Sequence, residues 1–221
     1  LLVLLAGVRE GRRTFGNISK YIKMGTSSAF GNMFSMLGAS LVLPFLPMLP
    51  LQILLNNLLY DFSQTGIPFD RVDADYLAKP RQWKLPNLRR FMLIVGPVSS
   101  LFDYITFAMM WFVFAANTPE RQSLFQTGWF VESLLTQTSI VYIIRTSHIP
   151  FLQSNAAPLM ALISLAVMAI GIAIPFTPIG PGLGLVPLPA AYFGWLALIL
   201  LAYACLTQGV KTWVARRYGD D

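Results

Sequence analysis

Six apolar stretches, near residues 24–49, 51–69, 91–116, 126–144, 156–176 and 188–210, dominate the sequence. Each is long enough to cross a bilayer as a helix, which takes about 20 residues. A segment in lipid must satisfy every backbone N–H and C=O within the protein, so only helices and closed barrels are open to it. The short segments of alternating hydrophobicity that mark a barrel are absent from the sequence. The expected fold is therefore all-α, a polytopic membrane helical bundle of six transmembrane helices. Composition agrees: 12% of the 221 residues are charged and the mean hydropathy is +0.60, whereas soluble domains carry about 25% charged residues. The 16 Phe and 5 Trp exclude a disordered chain. One Cys and one His exclude a disulfide framework and a zinc site built from several such ligands.

The charges that remain are distributed by side. Arg9, Arg12, Arg13, Lys20 and Lys23 precede the first span; Arg71, Lys79, Arg81, Lys84, Arg89 and Arg90 separate the second from the third. Arg145 lies between the fourth and fifth, and Lys211, Arg216 and Arg217 follow the sixth. Fifteen of the 16 basic residues thus fall on one side, with Arg121 alone opposite. Basic loops stay cytoplasmic, so both ends of the chain are expected in the cytoplasm. These loops are too short for a nucleic-acid surface, and no nucleic-acid partner is expected. Residues 9–23 run into the first span without a helix breaker. They predict a cytoplasmic stalk (1–23) ahead of a six-helix membrane domain (24–221), with nothing in this chain for the stalk to dock on. The abrupt start without Met predicts a C-terminal part of a larger protein.

Polar residues at membrane depth are the candidate site. An acidic residue at a helix centre costs about 2.5–3.5 kcal/mol on insertion scales, so each is a functional hypothesis. The second span carries the densest group, with Asn56, Asn57, Tyr60, Asp61, Ser63 and Gln64. Asn57 and Asp61 are four apart and share one helix face. Gly66 and Pro68 follow and favour local unwinding. A carboxylate, amide oxygens and opened carbonyls form an all-oxygen set suited to Mg²⁺ or Ca²⁺. Thr26, Ser27, Ser28 and Asn32 of the first span are expected to face this set, with Gly25, Gly31, Gly38 and Ser35 letting the first two spans approach closely. Asp103 and Glu132 are further carboxylates within spans. His148 reads as solvated, and Trp111, Trp129, Trp195 and Trp213 as core or interfacial groups. No phosphate loop GxxxxGK[ST] is present, and one His permits no Ser/His/Asp triad, so the chain alone is not expected to be an enzyme.

The stretches EGRRTFGNISKYIKM, SSAFGN and PFLPMLPLQILLNNLLYDFSQTGIPFD resemble the fifth and sixth transmembrane helices of P-type cation ATPases. NTPERQSLFQTGWF, RTSHIPFLQS and RRYG resemble the bacterial magnesium-transporting members, and the likeness covers the whole chain. The resemblance implies the cation-binding half of an ATP-driven magnesium importer in the bacterial inner membrane. It implies cation ligands at Asn57 and Asp61, at Asn32 of the fifth-helix position and at Asp103, with Glu132 and Gln64 as additional candidates. Ala29 replaces an asparagine usual in these pumps, and Tyr60 replaces a small hydroxyl ligand of the calcium pump, which implies one ion per cycle. ATP would be used only by actuator, phosphorylation and nucleotide domains that, with helices one to four, lie outside this chain. The alternatives are a calcium or other divalent-cation pump, or a free-standing six-helix channel or assembly subunit.

Overall fold

The structure, a computed structural model, describes residues 2–82, 84–146, 148–150 and 153–218. Ser147, Phe151 and Leu152 of the RTSHIPFLQS stretch and Gly219 of RRYG lie outside the described residues. Every regular element among the described residues is helical. Helix α1 spans Leu2–Val42 and α2 Pro50–Gln64, followed by a 3-10 turn, Ile67–Phe69, and a short α3, Ala74–Ala78. Helix α4, Leu85–Ala108, continues into a π turn, Met109–Val113; α5 covers Gln122–Ile144, α6 Pro158–Ala173 and α7 Ala190–Tyr218.

The boundaries follow from local chemistry. No proline interrupts α1 before Pro44, so stalk and first span form one rod of 41 residues, about 60 Å long at 1.5 Å per residue. Helix α2 starts on Pro50, whose missing N–H is no loss at a helix start, while the Gln52 Oε1 accepts the Leu49 N–H at 3.0 Å. It ends ahead of Gly66 and Pro68, as expected. The carbonyls of that unwound segment, however, are taken within the protein: Pro68 O accepts from Asn17 Nδ2 at 3.1 Å, and Gly66 O from the Phe69 N–H.

Helix α5 is the pillar of the bundle. It is buried on every side from Phe125 to Ile143, apart from Ser139, and α1, α2, α4, α6 and α7 all pack on it. A helix surrounded by protein can carry Gln126, Glu132, Ser133, Thr136 and Gln137 because neighbouring helices, not lipid, meet them. Among the described residues, three helical segments are long and apolar enough by themselves to cross a membrane: 85–113, 158–176 and 190–217.

The structure corrects one expected pairing. Gly31 and Gly38 of α1 meet α4, not α2, and Gly25 faces open space. A Cβ on Gly31 would lie 3.0 Å from Gly96 O, and Gly38 gives room to the Tyr104 ring. Ser100 Oγ donates to Gly31 O at 2.9 Å and Tyr104 Oη to Phe34 O at 3.0 Å. Helix α2 packs instead on α5 and α6. A small-residue stripe allows close approach but does not say which helix accepts it.

The stalk also finds partners that the sequence did not suggest. Arg12 Nη1 donates to Leu77 O at 2.7 Å, and Asn17 and Lys20 are buried against the segment after α2. Its first turns, from Leu2 to Glu10, are exposed.

Candidate cation site

Helix α2 presents two polar faces. Asn56, Tyr60, Ser63 and Gln64 point into the bundle and are buried, whereas Asn57 and Asp61 are exposed. The exposed pair keeps the i, i+4 relation that puts both oxygens on one face. Asp61 and Gln64 border an open groove of about 500 Å³ between α2 and the stalk, whose far wall includes Glu10, Arg13, Asn17 and Tyr21. Gln64 is 4% exposed, and neither its amide oxygen nor its nitrogen has a hydrogen-bond partner among the described residues. Asn32 is half-buried on α1, beyond the groove. Of the expected ligands, Asn57 and Asp61 share the exposed face of α2, Asp61 and Gln64 border the groove, and Asn32 lies outside its lining.

Asp103 and Glu132 form a separate centre inside the bundle. Asp103 is 2% exposed and accepts from Ser35 Oγ at 2.5 Å and from Trp129 Nε1 at 2.7 Å. Trp129 is therefore a buried hydrogen-bond donor, not an interfacial anchor. Glu132, one turn along α5, adjoins the Asp103 carboxyl, and neither of its oxygens has a donor among the described residues. Thr106 Oγ1 is likewise buried and unpartnered. Ser35, Asp103 and Glu132 come from α1, α4 and α5, so this centre joins three helices.

A chain of amides lies between the two groups. Ser28 Oγ donates to Gln137 Oε1 at 2.9 Å, and Gln137 Nε2 donates to Asn56 Oδ1 at 3.2 Å and to Ser133 Oγ at 2.6 Å. Asn56 Nδ2 closes it on Phe130 O at 3.1 Å. A satisfied network of this kind fixes the register of α1, α2 and α5. Asn56 is thereby committed to structure, while its neighbour Asn57 is left for another partner.

At the end of α2 nearest the stalk, charges are buried in a third group. Asp70 is fully buried and accepts from Lys20 Nζ at 2.7 Å, from Arg145 Nε at 2.9 Å and Nη2 at 3.1 Å, and from the Ala157 N–H at 3.1 Å. Burial alone would push the Asp70 carboxyl up, but the Arg145 and Lys20 charges outweigh it and hold it below the usual carboxylate range. Burial pushes Lys20 down, against the attraction of Asp70. On the same side Lys211 Nζ donates to Ile143 O, Thr146 O and His148 O, a cation at the carbonyl end of α5. His148 is exposed, as expected, with Nε2 3.5 Å from Asp75.

Comparison with known proteins gives this arrangement a family. The model of the cation transporting ATPase C-terminus matches residues 45–213, more than half of the chain. The chain belongs to that family. Magnesium-transporting ATPase, P-type 1, of Salmonella typhimurium LT2 is 58% identical over 220 residues, and its counterpart in Escherichia coli K12 is 57% identical over 219 residues. A second Salmonella typhimurium LT2 protein of the same description is 53% identical over 220 residues. These alignments cover 99–100% of this chain but 24% of each relative, so the chain spans about a quarter of the length of the curated relatives it matches.

Within this member of the cation transporting ATPase family, sequence reasoning missed Trp129, Gln137, Arg145 and Asp70 as site-supporting residues. Trp129 and Gln137 gave no local signal, because Asp103, Ser28 and Asn56, which they bond, sit on other helices. Arg145 gave one: it is the lone basic residue between the fourth and fifth spans.

Proposed function

We propose that this chain is the cation-binding membrane part of an ATP-driven magnesium importer of the P-type ATPase family. The observation that carries the reading is the exposure of Asn57 and Asp61 on α2, a helix we read as lying at membrane depth. A carboxylate facing lipid there costs about 2.5–3.5 kcal/mol, so that face belongs against protein and against a cation. Helices one to four of the same pump cover it, and the fourth supplies the remaining ligands. The magnesium-transporting relatives, 53–58% identical over the chain, support Mg²⁺ as the transported ion rather than calcium.

The helices α1, α2, α4, α5, α6 and α7 each cross the bacterial inner membrane, with both chain ends cytoplasmic, and residues 1–23 form the stalk of the 24–221 membrane domain. The Asp61 carboxylate and the amide oxygens of Asn57 and Asn32 hold Mg²⁺ and leave some of its waters in place, which suits an ion that dehydrates reluctantly. Asn32 joins the set when the cation is bound. Asp103 and Glu132 form an inner station, with Ser35 and Trp129 fixing the Asp103 carboxyl. Phosphorylation and ATP hydrolysis occur on domains outside this chain.

An ion panel on the complete protein tests the reading. Mg²⁺ is expected to stimulate ATP hydrolysis at concentrations where Ca²⁺ does not, once enough Mg²⁺ is present to load ATP. Stimulation by Ca²⁺ alone contradicts it.

A further inference from the structure

The groove between the stalk and α2 poses a mechanical problem. The two helices do not pack along their length, since α1 lies on α4 and α2 on α5 and α6. Movement of the stalk therefore has no direct helix-to-helix route to Asp61. Apart from the Ser28–Gln137–Asn56 chain inside the bundle, the side-chain contacts that join the stalk helix to α2 and its exit gather around Asp70. Lys20, midway along α1, donates to its carboxylate at 2.7 Å and to Arg71 O at 2.8 Å. Asn17, one turn earlier, donates to Pro68 O at 3.1 Å and Asp70 O at 3.2 Å.

The same carboxylate reaches two more helices. Arg145, just past the end of α5, makes a two-pronged bond to Asp70. It spends its other N–H groups on Ser154 O and Oγ at 3.1 and 3.2 Å and on Asn155 O at 2.9 Å. The Ala157 N–H, at the start of α6, donates to Asp70 Oδ1 at 3.1 Å, so the carboxylate also sits where the positive end of α6 favours an anion. From this point α5 and the segment after α2 lead back to two of the ligand-bearing regions. Arg145 and Glu132 are 13 residues apart on α5, about 20 Å of helix, and the turn 67–69 leads straight back to α2.

We propose that Asp70 is a positioning residue for transport, the buried anion through which displacement of the stalk moves α2, α5 and the start of α6 as one body. Its loss uncouples the stalk from the cation-bearing helices while leaving the ligands in place. The inference rests on the reading of this chain as part of an ATP-driven pump.

The test uses the complete pump in proteoliposomes, reading Mg²⁺ taken up per ATP hydrolysed, phosphorylation by ATP and the thermal midpoint. The wild-type protein must first show Mg²⁺ uptake driven by ATP, and its failure there counts against the pump reading itself, not against Asp70. Asp70→Asn keeps the shape of the side chain and removes the charge. It is expected to be phosphorylated within about twofold of wild type, with uptake per ATP down at least about fivefold. Lys20→Met should reproduce this loss, and Lys20→Arg, which retains charge and reach, should restore at least half of the coupling. If Asp70→Asn yields no folded protein, the Lys20 pair carries the test alone. Wild-type uptake per ATP in Asp70→Asn or Lys20→Met overturns the proposal, even where the thermal midpoint falls. Loss of phosphorylation in both variants overturns it too.

Discussion

Trp129 and Ser35 do for Asp103 what water does for a surface carboxylate: each gives it one short hydrogen bond. Removing a donor leaves a buried acceptor unpaired, at a cost of about 1–3 kcal/mol. Trp129→Phe keeps an aromatic ring against Phe107, whose centroid lies 4.8 Å away, so its effect isolates the lost N–H. The thermal midpoint of the purified protein should fall in Trp129→Phe and in Ser35→Ala, and an unchanged midpoint in both contradicts this account of Asp103. Asp70 gives a second residue-scale outcome. Its pKa is depressed in the folded state, so its stabilising contribution is present above the unfolded value of about 3.9 and is lost as pH falls through the lower folded value. Acid unfolding below about pH 4 should be less steep in Asp70→Asn than in wild type. Of the two carboxylates, Asp103 was visible in the sequence by the cost of placing it in a span, and Asp70 was missed. The partners of both were not visible: Ser35 and Trp129 lie 68 and 26 residues from Asp103, Arg145 lies 75 from Asp70, and spacing carries no information over such distances.

Among the elements, α2 and its exit are the most constrained. At Gly66 an added Cβ would stand 2.8 Å from Met160 Cα on α6. Backbone cannot yield as a side-chain tip can, so Gly66→Ala should cost about 1–3 kcal/mol, read as a lower thermal midpoint. An unchanged midpoint would mean that α2 leaves α6 more room than the structure gives it. The existence of the long helices was legible because apolar length and proline positions decide it. Pro50 and Gly66 mark the ends of α2, and Pro44 closes off α1. The partner of each helix was not legible. The α1 glycines fit any close neighbour, and of the polar residues of α5 only Glu132 stood out in the sequence, whereas Gln126, Ser133, Thr136 and Gln137 also serve a helix packed against five others.

At the scale of the whole molecule, the one-sided basic residues expected from the loops acquire a structural division. Some are solvated, and three are buried: Lys20, Arg145 and Lys211. They tie loop and stalk together on the side read as cytoplasmic. The topology has its own test in a protein whose Cys205, exposed on α7, has been replaced. Glu10→Cys and Arg216→Cys should react with an impermeant thiol reagent from the cytoplasmic face, and Arg121→Cys from the opposite face. Labelling of all three from one face would contradict six crossings.

The central claim is that Asp61, exposed on α2, holds the transported ion, and uptake of Mg²⁺ by proteoliposomes containing the complete pump tests it most directly. With Asp61→Asn, ATP-driven uptake should fall to the level of protein-free vesicles while the protein keeps its fold by thermal unfolding. Uptake near the wild-type rate in that variant would contradict the account.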